Sequence, residues 1–225
     1  MSTLKFRHSA TAGNAPASLL AGELAINEAD RILYYPDPSG AVAKFRPETL
    51  LAHGSITATA SLTLQLSASF PMFRLRLNRL TTSKTSSDNL QLRVSVNAGS
   101  TFDTTNAHYS WVYDYIEASA TNYSYTTSST GALGNHVDMG YISPESLQDY
   151  GAYEGYISLE KFGSTFYAIG GGFLWTFDPT AGVVMSRSAW YYSIGNASQI
   201  NAISLYPATG PNMNCDYSLF GITMP

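Results

Sequence analysis

The chain holds one cysteine, Cys215, in 225 residues, so no intrachain disulfide can form and stability rests on a packed core or on partner chains. Charged residues are scarce at 12%, about half the usual share. With a net charge of -4 the composition excludes the strongly basic class of nucleic-acid binders. No run of about 18 apolar residues is present to span a bilayer. The opening Met1 to His8 lacks the apolar core of a secretory signal, so synthesis and folding in a cytoplasm are expected.

What the chain has in quantity is hydroxyl and aromatic side chains: 28 Ser, 21 Thr and 16 Tyr, with aromatics at 13%. Ser and Thr suit strands and turns better than helix interiors, and Tyr and Trp favour strands. A helical bundle or coiled coil is therefore excluded, and the expected class is mainly β. Charge is unevenly distributed. Residues 1–54 are neutral, 55–93 carry +4 and 94–186 carry -8. Opposed stretches of this kind can meet within one domain or across a subunit contact.

The first 54 residues read as a small β-hairpin module. In Gly22 to Asn27, Leu24 and Ile26 alternate with Glu23, Ala25 and Asn27, the period of a half-buried strand. After a turn at Glu28-Ala29-Asp30, the segment Arg31 to Tyr35 supplies Leu33, Tyr34 and Tyr35. Asp37-Pro38-Ser39-Gly40 then reverses the chain into Ala41 to Phe45, which contains Val42. Two or three short strands are marginal alone, so this module is expected to lean on a partner or on further copies of itself. Residues 55–225 give about ten short strands separated by turn signals, the pattern of an antiparallel sandwich, jelly roll or barrel. Leu90, Leu92, Val94 and Val96 alternate with polar residues and are expected to face its core, which makes Gln91 a solvent-facing position. The one candidate helical turn is Ser143 to Leu147, with Ser143 as N-cap and Pro144 at N1.

Catalytic and metal-binding patterns are thin. The carboxylate pairs Glu154 with Glu160 and Asp114 with Glu117 read as solvated loop acids rather than as a glycosidase pair. His8, His53, His108 and His136 lack metal-ligand spacing, no Gly-x-Ser-x-Gly elbow is present, and Cys215 reads as a buried thiol. Gly170-Gly171-Gly172 is followed by Phe173-Leu174-Trp175, a strand signal, so a hairpin or bulge is expected there and not a phosphate loop. The acids Asp138, Glu145, Asp149 and Glu154 lack the ladder of a calcium loop. No enzyme activity, metal or cofactor is expected. The aromatic residues Trp111, Tyr113, Tyr115, Tyr123, Tyr125, Trp190 and Tyr191 are candidates for a subunit seam or for stacking on sugar rings.

The ordered blocks Leu4 to Arg7, Thr11 to Pro16, Gly22 to Asn27, Glu28-Ala29-Asp30 and Leu33 to Gly40 resemble the N-terminal attachment module of tailed-phage fibre, spike and appendage proteins. The match covers about a fifth of the chain. Leu92 to Phe102 with Tyr109-Ser110-Trp111, and Ile203 to Leu205 with Leu219 to Ile222, are similar to strands of phage jelly-roll domains. The resemblance implies a virion structural protein assembled in the host cytoplasm, a homotrimer docked on other virion proteins through Leu24, Ile26, Leu33, Tyr34, Tyr35 and Val42. Adhesive fibres carry a long shaft, and none is present here. A short tail fibre, spike, collar, head fibre or capsid decoration is therefore expected, with a receptor-binding adhesin for host-surface glycans as the alternative.

Overall fold

A computed structural model describes residues 5–29, 32–45, 48–105, 108–118, 123–144, 146, 151–162, 165–178, 182–193 and 199–223. The chain divides into two compact units, Met1–Thr49 and Leu50–Pro225. Every extended element of regular structure among the described residues is a β-strand.

The first unit is one four-stranded sheet in the order β1 (Lys5–Ser9), β2 (Glu23–Asn27), β3 (Ile32–Pro36), β4 (Val42–Phe45), with β1 parallel to β2 and the other pairs antiparallel. The β3–β4 turn is built by Asp37, whose carboxylate accepts hydrogen bonds from Ser39 Oγ and from the amides of Ser39 and Ala41. Those bonds, led by the Ser39 hydroxyl, hold its pKa below the usual value. Gly40 takes φ 83°, a conformation that glycine adopts without strain. On one face of the sheet Ala25, Ile32 and Tyr34 pack with Leu19 from the β1–β2 loop. That loop is pinned down by two buried polar side chains: Asn27 Nδ2 donates to the carbonyls of Thr11 and Asn14, and Glu23 accepts from the Leu20 amide and pairs with Arg7 at 3.1 Å.

The second unit contains β5 (Glu48–Thr59, whose first residues precede the boundary), β6 (Leu62–Gln65), β7 (Met72–Thr82), β8 (Asp88–Ser95), β9 (Tyr109–Ala118), β10 (Tyr123–Gly134), β11 (Val137–Pro144), β12 (Ala152–Phe162), β13 (Thr165–Asp178), β14 (Gly182–Ser193), β15 (Ala202–Pro207) and β16 (Met213–Ile222). They form two layers, β5-β16-β7-β12-β13-β14-β9-β10 and β11-β8-β15-β6, joined where the end of β11 runs parallel to the end of β7. Setting β13, β14, β9 and β10 aside leaves four strands, β5-β16-β7-β12, against four, β6-β15-β8-β11, with the chain crossing repeatedly between them. That is the double Greek-key order of a jelly roll. The two hairpins β9–β10 and β13–β14 are insertions that extend one layer beyond β12 into a wing.

The core lies between the layers and contains Leu62, Leu64, Phe73, Leu75, Leu77, Leu90, Leu92, Val94, Ile203, Leu205 and Leu219. Alternation in β8 places Leu90, Leu92 and Val94 inward, with Val96 partly buried just beyond the strand. Gln91 departs from the solvent-facing expectation. It is buried, and its Nε2 lies 2.8 Å from both Asp138 Oδ1 and His136 Nε2. Ser143 and Pro144, the anticipated N-cap and first position of a helical turn, are strand residues instead. Ser143 and Pro144 end β11, Ser143 Oγ accepts from the Phe177 amide and bonds the Thr176 hydroxyl, and Glu145 and Leu147 fall outside the described residues. A side chain that serves as an N-cap elsewhere here ties one layer to the other.

Leu92→Ala should lower unfolding free energy by about 2–5 kcal/mol, the range for emptying a buried leucine site. Gln91→Asp should also destabilise, because it sets a second carboxylate beside Asp138. Urea unfolding followed by fluorescence measures both, and a Gln91→Asp protein as stable as wild type would show that this network carries no weight.

Candidate attachment and recognition surfaces

The N-terminal sheet has two unlike faces. Cross-strand register pairs Phe6 with Leu24, Ile26 with Leu33, and Leu33 with Phe45, while Tyr35 pairs with Ala43. These residues share the face opposite Leu19. Phe6 is 61% exposed, Phe45 55% and Ile26 38%. Of the six expected docking residues, Leu24, Ile26, Leu33 and Tyr35 belong to this uncovered side. Tyr34 and Val42 belong to the sealed side, Tyr34 in its core and Val42 packed against it. Periodicity found two apolar sets, but the loop that chooses which one to cover is irregular and left no periodic signal.

The wing of the second unit carries the other apolar surface. Trp190 pairs in register with Trp111 and Tyr192 with Tyr109, and both pairs face inward. Trp190, Tyr109 and Tyr192 are buried, and Trp111 is half-buried against the same core. Trp111 and Trp190 thus pack the interior rather than a seam or a sugar site. Tyr191 is exposed and stacks on Tyr167, with ring centroids 5.9 Å apart. The backbones of Tyr113, Tyr115, Tyr123 and Tyr125 lie in β9 and β10, and their side chains fall outside the described residues.

The outward apolar side chains are a set that composition alone did not single out: Tyr156 on β12, Ile169, Phe173 and Trp175 on β13, Met185 on β14 and Ile116 on β9, with Val112 and Val183 at the margins. Phe173 is 50% exposed and Trp175 55%. A groove of about 550 Å³ runs between Tyr156 and Trp175, with Gly171 and Gly172 in its lining and Glu154 and Arg187 on its rim. Its sequence signal is in β13 itself. Tyr167, Ile169, Phe173, Trp175 and Phe177 occupy odd positions, and small residues fill most even ones. The glycine run accordingly lies in the middle of a 14-residue strand rather than at a hairpin. A Cβ on Gly170 would sit 2.3 Å from Trp190 Cζ2, and one on Gly172 would sit 2.6 Å from Tyr153 Oη.

The polar candidates form structural pairs. Glu154 meets Arg76 at 3.1 Å and Arg74 at 3.7 Å, so the basic and acidic segments meet within one sheet at this point. Glu160 lies six residues further along the same strand, roughly 20 Å at the rise of a β-strand, beyond the separation of a glycosidase pair. Asp114 pairs with Arg187 at 2.6 Å, and the Glu117 side chain falls outside the described residues. Asp138 serves the Gln91–His136 network, while Glu145 and Asp149 fall outside the described residues. His8 lies 3.8 Å from Glu28, and His53 is exposed. No cluster of three or more His, Cys, Asp or Glu that could hold a metal occurs among the described residues. Burial, with Asp216 nearby, pushes the Cys215 thiol up to about 12, far from the reactive range.

One polar cluster was not foreseen. Asp103 bonds the His108 ring, accepts from Tyr192 Oη at 2.9 Å and from the Thr105 amide at 2.8 Å, while its carbonyl accepts from Tyr109 Oη. The donors fasten the β8–β9 loop to the buried Tyr pair. Burial raises the Asp103 pKa, and the hydrogen bonds from His108, Thr105 and Tyr192 together outweigh it and hold the carboxyl below its usual value. Comparison with protein-family models, curated proteins and solved structures gives no match.

A carboxyl whose folded pKa is depressed stabilises the fold above its unfolded value, near 3.9, and that contribution is lost as pH falls through the folded value. Asp103→Asn should therefore cost about 1–3 kcal/mol at neutral pH and flatten the acid limb of stability below about pH 4. Thermal melts from pH 2 to 7 test this; an unchanged acid limb would reject the assignment. Gly172→Ala should lower the melting temperature sharply, whereas Gly13→Ala, a change in open space although at φ 75°, should cost much less.

Proposed function

We propose that this chain is a structural protein of a tailed-phage virion, docked on other virion proteins through its N-terminal sheet and displaying the jelly roll outward. The observation that carries the reading is the half-sealed first unit. Its loop closes over Ala25, Ile32 and Tyr34, and it leaves Phe6, Ile26 and Phe45 uncovered on a sheet of only four short strands. An apolar face of that kind on so small a unit is a docking face. It lies in the segment whose blocks, Gly22 to Asn27 and Leu33 to Gly40, resemble phage attachment modules. A short spike, collar or capsid decoration is the reading that suits a chain in which the jelly roll follows the module directly. Homotrimeric assembly through the same face is part of the proposal.

The test is incorporation into particles. Ile26→Asp with Phe45→Asp places two charges on the exposed side of the sheet and leaves Leu19, Ala25 and Tyr34 untouched. The variant should fold, with a melting temperature close to wild type, and fail to join virions. A truncated protein beginning at Leu50 should retain a cooperative melt and be excluded in the same way. Normal incorporation of either protein would overturn the proposal.

A further inference from the structure

The outer face of the wing joins its apolar surface to an ordered row of charge. Register places Arg76 on β7, Glu154 on β12, Phe173 on β13, Arg187 on β14 and Asp114 on β9 side by side across five neighbouring strands. The row reads cation, anion, ring, cation, anion. Both ion pairs, Arg76–Glu154 and Arg187–Asp114, point the same way across the sheet. With strands about 4.8 Å apart, the four charges lie symmetrically about Phe173.

We propose that this face pairs with the same face of a second copy of the chain about a two-fold axis parallel to the strands and passing through Phe173. That axis reverses the row in the facing copy. Arg187 then lies over the copy's Glu154, Arg76 over its Asp114, and the ion-pair dipoles run antiparallel. A two-fold axis along the row would instead set every charge against its own like. The charge order therefore favours the axis along the strands over the axis along the row for a self-complementary contact.

Area supports the same occupant. A fully exposed aromatic side chain presents about 150–250 Å², so the exposed fractions of Tyr156, Phe173, Trp175 and Tyr191 alone come to about 300–480 Å², to which Ile169, Ile116, Val112 and Val183 add. The largest apolar patch on a typical monomer is about 300–600 Å², and a stable contact takes about 800 Å² from each partner. The flanking ion pairs supply the remainder. A saccharide bound in the groove beside Phe173 would leave Ile169, Tyr191, Ile116 and Val183 uncovered, and the charges on the rim are already engaged with each other. Two such sheets stack face to face about 10 Å apart, which sets Phe173 and Trp175 of β13 each against its own counterpart along the axis.

Sedimentation velocity on the full chain, with Arg187→Glu, Glu154→Arg and an equimolar mixture of the two, tests both the contact and its register. Wild type should sediment at an even multiple of the 24.3 kDa of the chain: twice it where this contact acts alone, and six times it where the trimer of the N-terminal sheet forms as well. Each single substitution sets like charges opposite each other at two symmetry-related places, which should weaken self-association by more than about a hundredfold. Circular dichroism should show both variants folded. In a mixed pair the carboxylate introduced at position 187 of one copy faces the guanidinium introduced at position 154 of the other. The native Glu154 of the first copy likewise faces the native Arg187 of the second, so the mixture should regain the wild-type mass. A wild-type mass that is not an even multiple, single variants that associate as wild type does, or a mixture that fails to recover would each overturn the proposal. A monomeric wild type whose tryptophan fluorescence shifts on adding a neutral oligosaccharide would overturn it as well and assign the groove to a sugar.

Discussion

Packing large aromatic side chains between two layers of unequal width is the constraint on which the second unit depends. Tyr109 and Tyr192 lie with ring centroids 4.7 Å apart, and Trp190 and Tyr153 continue the layer across β14 and β12. Trp190 and Tyr153 fit where the neighbouring backbone carries no side chain. β12 and β13 provide that at Gly155, Gly170 and Gly172. A Cβ on Gly155 would stand 2.0 Å from Tyr153 Oη, closer than any packing adjustment by a well-held ring would relieve. The conformational entropy that these glycines cost is offset by the aromatic burial they permit. β11 crosses over β9, β13 and β14, and the Ser143 link to Thr176 and Phe177 fixes its position on the wing.

Regular alternation made most of the strands legible. Leu90 to Val96, Phe73 to Leu77 and Ile203 to Leu205 could be read because a β-strand with one buried face repeats every two residues. The turn at Asp37 to Gly40 was legible because Asp, Pro and Gly each have a conformational reason to be there. β1 was not. A parallel partner far along the chain leaves no local turn signal, and its residues are pinned by Glu23 and by a loop whose contacts are nonlocal. The Ser143-Pro144 pair misled for a related reason. A hydroxyl followed by proline is compatible with both a helix start and a strand end, and only the distant Thr176 decides between them.

The surfaces were less legible than the fold. Aromatic content pointed to binding, yet composition cannot tell an inward ring from an outward one. In β9 the Trp and Tyr residues alternate with Ser, Val and Asp, whereas in β14 Trp190, Tyr191 and Tyr192 run together, and register alone brings Trp111 beside Trp190. In β13 the decisive information was negative. Small residues at even positions mark the side against which rings pack, which makes the odd positions the outward ones. The charge segments were legible as segments only. Arg76 and Glu154 come from the basic and the acidic stretch respectively, and the strands that carry them, β7 and β12, become neighbours only after the chain has run through β8, β9, β10 and β11. Each exposed pair contributes little stability; its orientation carries more information than its strength.

The outer face of the large layer is not uniform, and the contrast within it argues that the apolar wing is specific. On β7 and β16 that face presents Arg74, Arg76, Asn78, Asp216 and Ser218, the polar exterior that a sandwich ordinarily turns to water. The apolar ring there, Phe220, lies under the Arg74 guanidinium at 4.7 Å, which covers its face with a side chain that water solvates well. One strand further on, the pattern inverts. Tyr156, Phe173 and Trp175 stand about half exposed, and the charged residues among them are spaced as pairs on either side of Phe173. A sheet that merely tolerated surface hydrophobicity would scatter such residues singly. Among the described residues of this layer, Leu50 on β5 stands singly, and the other exposed large apolar side chains gather on the strands that the two hairpin insertions add and on β12, which those insertions meet. The inserted hairpins therefore do more than widen a layer: together with β12 they create the apolar face and set the order of charge around Phe173.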